Sequence, residues 1–243
     1  MGRQFNGTTQ RAISTSVVDL TGVNTVSVAF WLWWDAFADD DDLALEFTPN
    51  SNSPETGGFY FDPNASDAGG GQMVLFLRGN VGINAAIYAR PSAAAWHHYV
   101  LIMDKSQATN EVDLYIDGTL QTPNSRPNIS NNTNNFASST LSLMARSAAG
   151  GSLFGAGRLA EVGLWNVRLT GTNATNLAAG ALPSSIPTGL LHYWKLCGVD
   201  SPEGDSADAI TATLTASPPQ VDHPSAVSGS CGSASTLMGA ICM

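Results

Sequence analysis

Charged side chains are scarce in this 243-residue chain. They make up 12% of the residues, about half the fraction usual in globular domains, and lysine occurs only at Lys105 and Lys195. Surface helices generally need Glu, Lys and Arg, whereas glycine, with 24 residues, and other small residues are abundant here. The composition therefore predicts a mainly β protein.

Basic stripes and long apolar runs are also missing. The formal net charge is −10, and a surface of that sign repels a nucleic-acid backbone, so we expect no nucleic-acid partner. No apolar run approaches the roughly 20 residues that cross a bilayer. Because no apolar targeting segment precedes Phe5, we expect either a mature, processed chain or a protein made in the cytoplasm without an export signal.

Cysteine is rare, and its count is odd. The three cysteines are Cys197, Cys231 and Cys242, which argues against a disulfide framework. Cys197 ends an apolar segment and is expected to be a small buried residue. The other two lie near the carboxy terminus, and the sequence leaves any pairing open.

Alternating apolar residues predict strands throughout the chain. In residues 23–34, Val26, Val28, Phe30, Leu32 and Trp34 share one face, while Trp31 and Trp33 point to the other. We expect that second face to be covered by a loop or a partner. Further strands are predicted at residues 5–13, 43–47, 59–61, 73–77, 95–104, 112–120, 140–145, 157–170 and 189–196.

Turn and helix signals complete the pattern. Asp117-Gly118 fits a tight hairpin, and residues 121–138 are predicted to be loop. One short helix is expected at residues 170–179, with Thr170 or Thr172 as its cap and Gly180 at its end. Trp165 and Trp194 are expected to pack between two sheets.

Five segments, in this order and spacing, resemble LamG-like domains of the concanavalin A-like group. They are FNG at residues 5–7, WHHYV at 96–100, LYIDG at 114–118, GRLAEVGLWNVRLT at 157–170 and GLLHYWKL at 189–196. The last of these, with DHPSAV at 222–227, is similar to phage-encoded members. The resemblance implies an all-β fold: one antiparallel β-sandwich jellyroll over residues 1–227, followed by an irregular tail at 228–243.

The resemblance also brings a glycosidase site into question. Family-16 glycoside hydrolases share this fold and carry an E-x-D-x-x-E strand, whose two carboxyls must lie about 5–5.5 Å apart for retaining hydrolysis. Here Glu111 and Asp113 fit the motif, but Ile116 replaces the second Glu. We therefore expect no family-16 active site and no enzyme.

The sequence contains few residues in a pattern typical of a metal-binding site. Asp40 and Asp42 belong to an acidic run at residues 39–42 and are the candidate calcium ligands, because relatives bind calcium through loop acids. Charge runs usually lie exposed, so a solvated loop is favoured and no cofactor is expected. His97 and His98 are consecutive on a strand, so they face opposite ways and are expected to be satisfied structural residues.

The favoured function is a non-enzymatic structural or decoration protein of a phage-like particle, which would bind copies of itself, other virion proteins and surface glycans. Its location would then be the virion. The alternative is an extracellular carbohydrate-binding or adhesion module, for which Trp33 is the candidate sugar-stacking residue. A glycan-degrading enzyme with an unrecognised site is the third reading. The tail is predicted to mediate assembly through four apolar residues, Leu237, Met238, Ile241 and Met243.

Overall fold

Two large antiparallel sheets form the protein, as a computed structural model shows for residues 1–36, 41–48, 57–66, 68–146, 152–198 and 201–227. In chain order the strands are β1 (Gly2–Asn6), β2 (Arg11–Ser14), β3 (Val18–Asp19), β4 (Thr25–Trp34), β5 (Leu45–Phe47), β6 (Phe59–Asp62), β7 (Gln72–Arg78), β8 (Ile83–Ala89), β9 (Trp96–Asp104), β10 (Val112–Ile116), β11 (Thr119–Leu120), β12 (Ser125–Ile129), β13 (Ser138–Ser139), β14 (Leu141–Leu143), β15 (Ala156–Trp165), β16 (Leu190–Trp194), β17 (Ala212–Thr215) and β18 (Gln220–Val221).

The strand order is that of a two-layer sandwich. The first sheet runs β11-β10-β9-β4-β15-β1-β18, and β16 pairs with the end of β15 that β1 leaves free. The second sheet runs β12-β8-β7-β6-β5-β14-β2-β17, and β3 and β13 form a separate pair. Neighbours distant in sequence, such as β4 and β15, are joined by crossovers, so the predicted jellyroll sandwich is confirmed.

The core lies between the inner faces of the two sheets. The five residues that alternate along β4 all belong to it, as the sequence predicts: Val26, Val28, Phe30, Leu32 and Trp34. Phe30 stacks on Tyr99 of the first sheet, with ring centroids 5.6 Å apart, and also meets Phe61 of the second sheet at 6.2 Å. Burial of such large rings is the main source of the stability of this sandwich.

One α-helix lies within the described ranges, α1 (Gly171–Ala178), and it covers part of the outer face of the first sheet. Its start and end agree with the sequence, because Thr170 caps it together with Asn173 and Gly180 follows with a φ of +98°. No helix within the described ranges is long and apolar enough to cross a membrane.

Trp165 lies under this helix and corrects one expectation. It packs with Ala29, Val100 and Leu177 on the outer face of the first sheet, so it does not join the two sheets. Trp194 does lie in the core between them. The β-bulge in β15, where the register shifts between Ala160 and Gly163, changes which residues face outward, and the sequence gives no sign of it.

Other sequence predictions differ in detail. The strand expected at residues 5–13 is two strands in different sheets, β1 and β2, because the Asn6 side-chain oxygen accepts hydrogen bonds from the N–H groups of Thr8, Thr9 and Gln10 and turns the chain. Residues 121–138 contain β12 and part of β13 rather than loop alone.

Cys197 is half-buried and disulfide-bonded, not a free thiol, and its partner lies outside the described residues.

Candidate functional site

A row of four side chains crosses the outer face of the first sheet beside α1. Cross-strand pairing sets Trp96 of β9 opposite Trp33 of β4, Trp33 opposite Arg158 of β15, and Arg158 opposite Gln4 of β1. We call these four residues the aromatic row. Directly opposite residues on one face of a sheet lie close enough for their side chains to interact, and here each does.

Trp33, the sugar-stacking candidate, is half-buried within this row. Its ring meets that of Trp96 edge-on, with centroids 6.2 Å apart, and the Arg158 guanidinium carbon lies 4.6 Å from its centroid. Such cation–π contacts fix both partners. Trp33 is therefore accessible but already engaged by Arg158.

Trp96 lies across the sheet rather than pointing away from it. The outermost atom of its ring, Cη2, is 3.3 Å from the position that a Cβ on Gly2 would take, although Gly2 belongs to a different strand. Below it, Trp31 is only 6% exposed and packs with Ala160 and Val227. The half-buried Trp96 indole thus forms an apolar platform that extends across the sheet and packs against Trp31.

A groove of about 500 Å³ opens between Trp96 and the end of α1. Trp31 and Trp96 line it on the sheet side, Ala178 on the helix side, and Ser225 and Ala226 along a third side. We call it the helix-side groove. His97 and Asp117 also line the groove, and Asp117 supplies its carboxylate.

The carboxylate of Asp117 is the best-placed polar group of the groove. It accepts hydrogen bonds from the His98 backbone N–H at 2.8 Å and lies 2.7 Å from Nδ1 of His97, and half of its side chain remains exposed. Burial alone would raise the pKa of Asp117, but these hydrogen bonds outweigh it and hold the pKa below its usual value. The group is an ionised acceptor at neutral pH.

A tight turn holds Asp117 in place. Asp117 and Gly118 both have positive φ values, 49° and 78°, as the central residues of the β10–β11 hairpin. The predicted Asp-Gly hairpin is confirmed, and its aspartate also lines the groove.

The two consecutive histidines face different surroundings, as predicted, but neither is fully satisfied. Among the described residues, Nε2 of His97 and Nδ1 of His98 have no hydrogen-bond partner. His98 packs edge-on against Trp31, with centroids 5.2 Å apart, and burial lowers its pKa to about 3. His98 is therefore neutral under ordinary conditions and supports the platform from below.

The third side of the groove is formed by the last described residues. His223 Nε2 lies 2.7 Å from a carboxylate oxygen of Glu161, and the Tyr193 hydroxyl donates to the other oxygen. Val227 packs on Trp31. These contacts bring residues 222–227 back onto the outer face of the first sheet and cover it, as expected for the second face of β4.

The carboxylates considered for catalysis and metal binding lie elsewhere. Glu111 is fully buried, and both of its oxygens accept hydrogen bonds from Asn132, one from the backbone and one from the side chain. Burial raises its pKa, partly offset by these hydrogen bonds. Ile116 is buried at the other end of β10, so Glu111 anchors a loop here.

The acidic run is only partly described. Asp40 lies outside the described residues, Asp42 is half-buried, and the intervening Asp41 accepts hydrogen bonds from the backbone and side chain of Ser66. Over the described residues, no group of three His, Cys, Asp or Glu side chains could hold a metal ion. A solvated loop, with Asp40 and Asp42 as candidate ligands of the less favoured calcium site, stays a prediction. So does assembly through Leu237, Met238, Ile241 and Met243, all outside the described residues.

Sequence reasoning singled out Trp33 but did not identify Trp96, Asp117 or Arg158 as site residues. Each sits in a segment whose alternation predicts only a strand or a turn. Their proximity follows from the register of β9, β4 and β15, which are far apart in the chain. The sequence pattern does predict the Asp117-Gly118 turn, but it does not predict which residues of other strands lie near that turn.

Comparison with solved structures shows the same fold. The chain is similar to a SAP-like pentraxin from Limulus polyphemus, described as heptameric, at 14% identity and a TM-score of 0.56, covering 75% of this chain and 83% of the pentraxin. It is similar to a proposed carbohydrate binding protein from Bacteroides ovatus at 16% identity and a TM-score of 0.61, covering 88% of this chain. The match spans only 57% of that second protein.

Sequence comparison agrees with the structural one. No curated protein sequence matches the chain. The profile of one family matches residues 6–174, which is more than half of the chain. The protein is therefore a member of the concanavalin A-like lectin/glucanases superfamily.

Proposed function

We propose that this protein is a non-enzymatic carbohydrate-binding module whose sugar site is the helix-side groove. The observation that carries the proposal is the Trp96 platform, which is half-buried, extends across the sheet and lines the same groove as the half-exposed Asp117 carboxylate. An aromatic ring offers its face to the apolar side of a sugar, while an ionised carboxylate accepts hydrogen bonds from sugar hydroxyls.

The arrangement suits a ligand that is both apolar and rich in hydroxyls. Small-molecule sites are mostly apolar and have a few fixed polar groups. Here Trp31 and Ala178 give the apolar lining, and the hydrogen bonds to His97 and His98 fix Asp117 before any ligand arrives. Such preorganisation lowers the entropic cost of binding.

Similar proteins support the same class of function. The Bacteroides ovatus structure, which has the same fold, is described as that of a proposed carbohydrate binding protein. The buried, fully engaged Glu111 supports a role without catalysis. The disulfide at Cys197 fits an extracellular location, because disulfides persist in oxidising surroundings.

A glycan array followed by titration calorimetry tests this proposal. Wild-type protein should bind at least one glycan. Trp96→Ala should abolish binding, and Asp117→Asn should weaken it by about tenfold, because Asn still tolerates the positive φ of the turn but carries no charge.

Phe76→Ala is the matched control. Phe76 is a half-buried aromatic residue that stacks on Tyr60 at 4.7 Å in the second sheet, far from the groove in the strand order. Its replacement should leave binding intact. Binding lost in Phe76→Ala and kept in Trp96→Ala would place the sugar site on the other sheet, and an array without any bound glycan would reject the function.

A further inference from the structure

We infer that the Arg158 end of the aromatic row is an anion subsite, so that the preferred glycan carries an isolated acidic group, a carboxylate or a sulfate, on an otherwise neutral chain. This inference rests on the proposed sugar-binding function and names the ligand class for it. It starts from the surroundings of one arginine.

Arg158 has no carboxylate partner within ion-pair distance in the described part of the chain. Four other arginines do form such ion pairs: Arg3 with Glu203, Arg126 with Asp113, Arg146 with Glu46, and Arg168 with Asp104 and Asp113. In a protein with a net charge of −10, a guanidinium without an acidic partner is unusual. Arginine is the residue best suited to bind carboxylate or sulfate through two parallel hydrogen bonds.

The guanidinium is held in position although it is not paired. Its Nε donates to the side-chain oxygen of Gln4 at 2.8 Å, and the Gln4 amide nitrogen in turn donates to Asp35 at 2.8 Å. From the other side it lies over the Trp33 ring. Because Nε and one face are engaged, the two terminal nitrogens remain for a ligand, and no hydrogen bond joins them to the described residues.

A second hollow of about 490 Å³ lies beside Arg158, at the β1 end of the row. Gln220 of β18 and Asp222 also line it, and the Asp222 carboxylate interacts there with the amino group of Met1. The hollow therefore gives a ligand access to the guanidinium, and its one carboxylate already has a cation nearby.

The two ends are connected through the aromatic row. Trp96 lines the helix-side groove, and its ring contacts the Trp33 ring. The Arg158 guanidinium lies over that Trp33 ring. A saccharide whose first sugar stacks on Trp96 can therefore direct the hydroxyls of that sugar to Asp117. Its neighbouring acidic sugar then lies at Arg158. The negative charge of the whole protein disfavours dense polyanions, so an isolated acidic group fits this subsite best.

Matched oligosaccharides test the inference. In the first arm, glucuronoxylan oligosaccharides that carry a single uronate are compared with xylo-oligosaccharides of the same length. In the second arm, uncharged oligosaccharides are compared on an array with the same oligosaccharides bearing one sulfate. Wild-type protein should bind an acidic member about tenfold or more tightly than its neutral counterpart. In Arg158→Gln this ratio should fall to about one, and in Arg158→Lys it should be intermediate, because lysine keeps the charge but not the two parallel donors.

Arg11→Gln is the control, because it removes one positive charge from the second sheet and should leave the ratio unchanged. A preference for the uronate arm identifies a carboxylate ligand, and a preference for the other arm identifies a sulfate. Glycan binding with no acidic preference in either arm, or a preference that survives in Arg158→Gln, would overturn the anion subsite and leave the sugar-binding function standing. No glycan binding of any kind would reject both.

Discussion

The backbone oxygen of Ala226 occupies the space beside Gly180 into which a side chain would project. A Cβ on Gly180 would lie 1.8 Å from that oxygen, and Gly180 has a φ of +98°. The glycine that ends α1 thus also seats residues 224–227 against the helix. Because Ser225 and Ala226 line the helix-side groove, this contact shapes the proposed sugar site.

Gly180→Ala should therefore displace residues 224–227 from the end of α1. Positive φ costs a non-glycine residue about 1–2 kcal/mol, and the collision should add about 1–3 kcal/mol. Gly71→Ala is the control, since Gly71 has a φ of +82° and nothing within 4 Å of its Cβ position. Urea unfolding should show a larger loss for Gly180→Ala, with faster hydrogen exchange at residues 222–227. Equal losses in the two variants would contradict the seating role.

Replacement of either buried tryptophan should cost about 3–5 kcal/mol of unfolding free energy. Trp194 fills the core and donates its indole N–H to the Ile210 carbonyl at 2.8 Å, while Trp165 fills the space under α1 and donates to Ile186 at 2.9 Å. Trp165→Ala should also speed hydrogen exchange in α1, and Trp194→Ala should not. A loss below about 1 kcal/mol would show that the residue is not in a packed site.

Acid should destabilise the protein through His98. Burial lowers its folded-state pKa to about 3, whereas an unfolded histidine titrates near 6.5. Between these values the unfolded chain binds a proton that the folded chain excludes. The contribution is therefore fully present above about pH 6.5 and is lost as the pH falls, by up to about 1.4 kcal/mol per unit.

Unfolding midpoints between pH 7 and pH 4 measure this dependence. His98→Phe keeps an aromatic ring against Trp31 and removes the titrating group, so its stability should fall less steeply below about pH 6.5 than that of the wild type. The difference between the two curves isolates His98 from the carboxylates, which titrate in both proteins. Parallel curves would show that His98 does not titrate differently on folding.

Chelation should leave the melting temperature nearly unchanged. Asp41 accepts hydrogen bonds from Ser66, and consecutive Asp residues without calcium-loop spacing are poorly suited to enclose an ion. Scanning calorimetry with and without EDTA measures the effect. A fall of more than about 10 °C, equivalent to a few kcal/mol for a chain of this size, would instead support a calcium site, with Asp40 and Asp42 as the first ligands to replace.

Deletion of residues 229–243 should yield a folded monomer that no longer self-associates. The segment contains Leu237, Met238, Ile241 and Met243, apolar residues at a chain end that can dock onto a neighbouring copy. Cys197 is changed to Ser in the same variant, since its possible partners are removed. Light scattering after size exclusion measures the mass, and unchanged association in the shortened chain would reject an assembly role.

Local patterns predicted much of the fold. The alternation along residues 26–34 assigned the inner face of β4 correctly, Thr170 and Gly180 bounded α1, and Asp117-Gly118 formed its hairpin. These features depend on a few adjacent residues, so the sequence carries them directly. The turn at Asn6 was missed, because its side chain makes hydrogen bonds to the backbone in the middle of an apparently continuous strand.

By itself the sequence determined that Trp31 and Trp33 share a face of β4, because successive side chains of a strand alternate. It did not determine their different surroundings. Residues 222–227 return to the sheet, and Val227 buries Trp31, whereas Trp33 is left half-exposed between Trp96 and Arg158. Only the tertiary structure decides this, because a local pattern does not specify which distant segment packs on a face, and strand register joins residues that lie over a hundred positions apart.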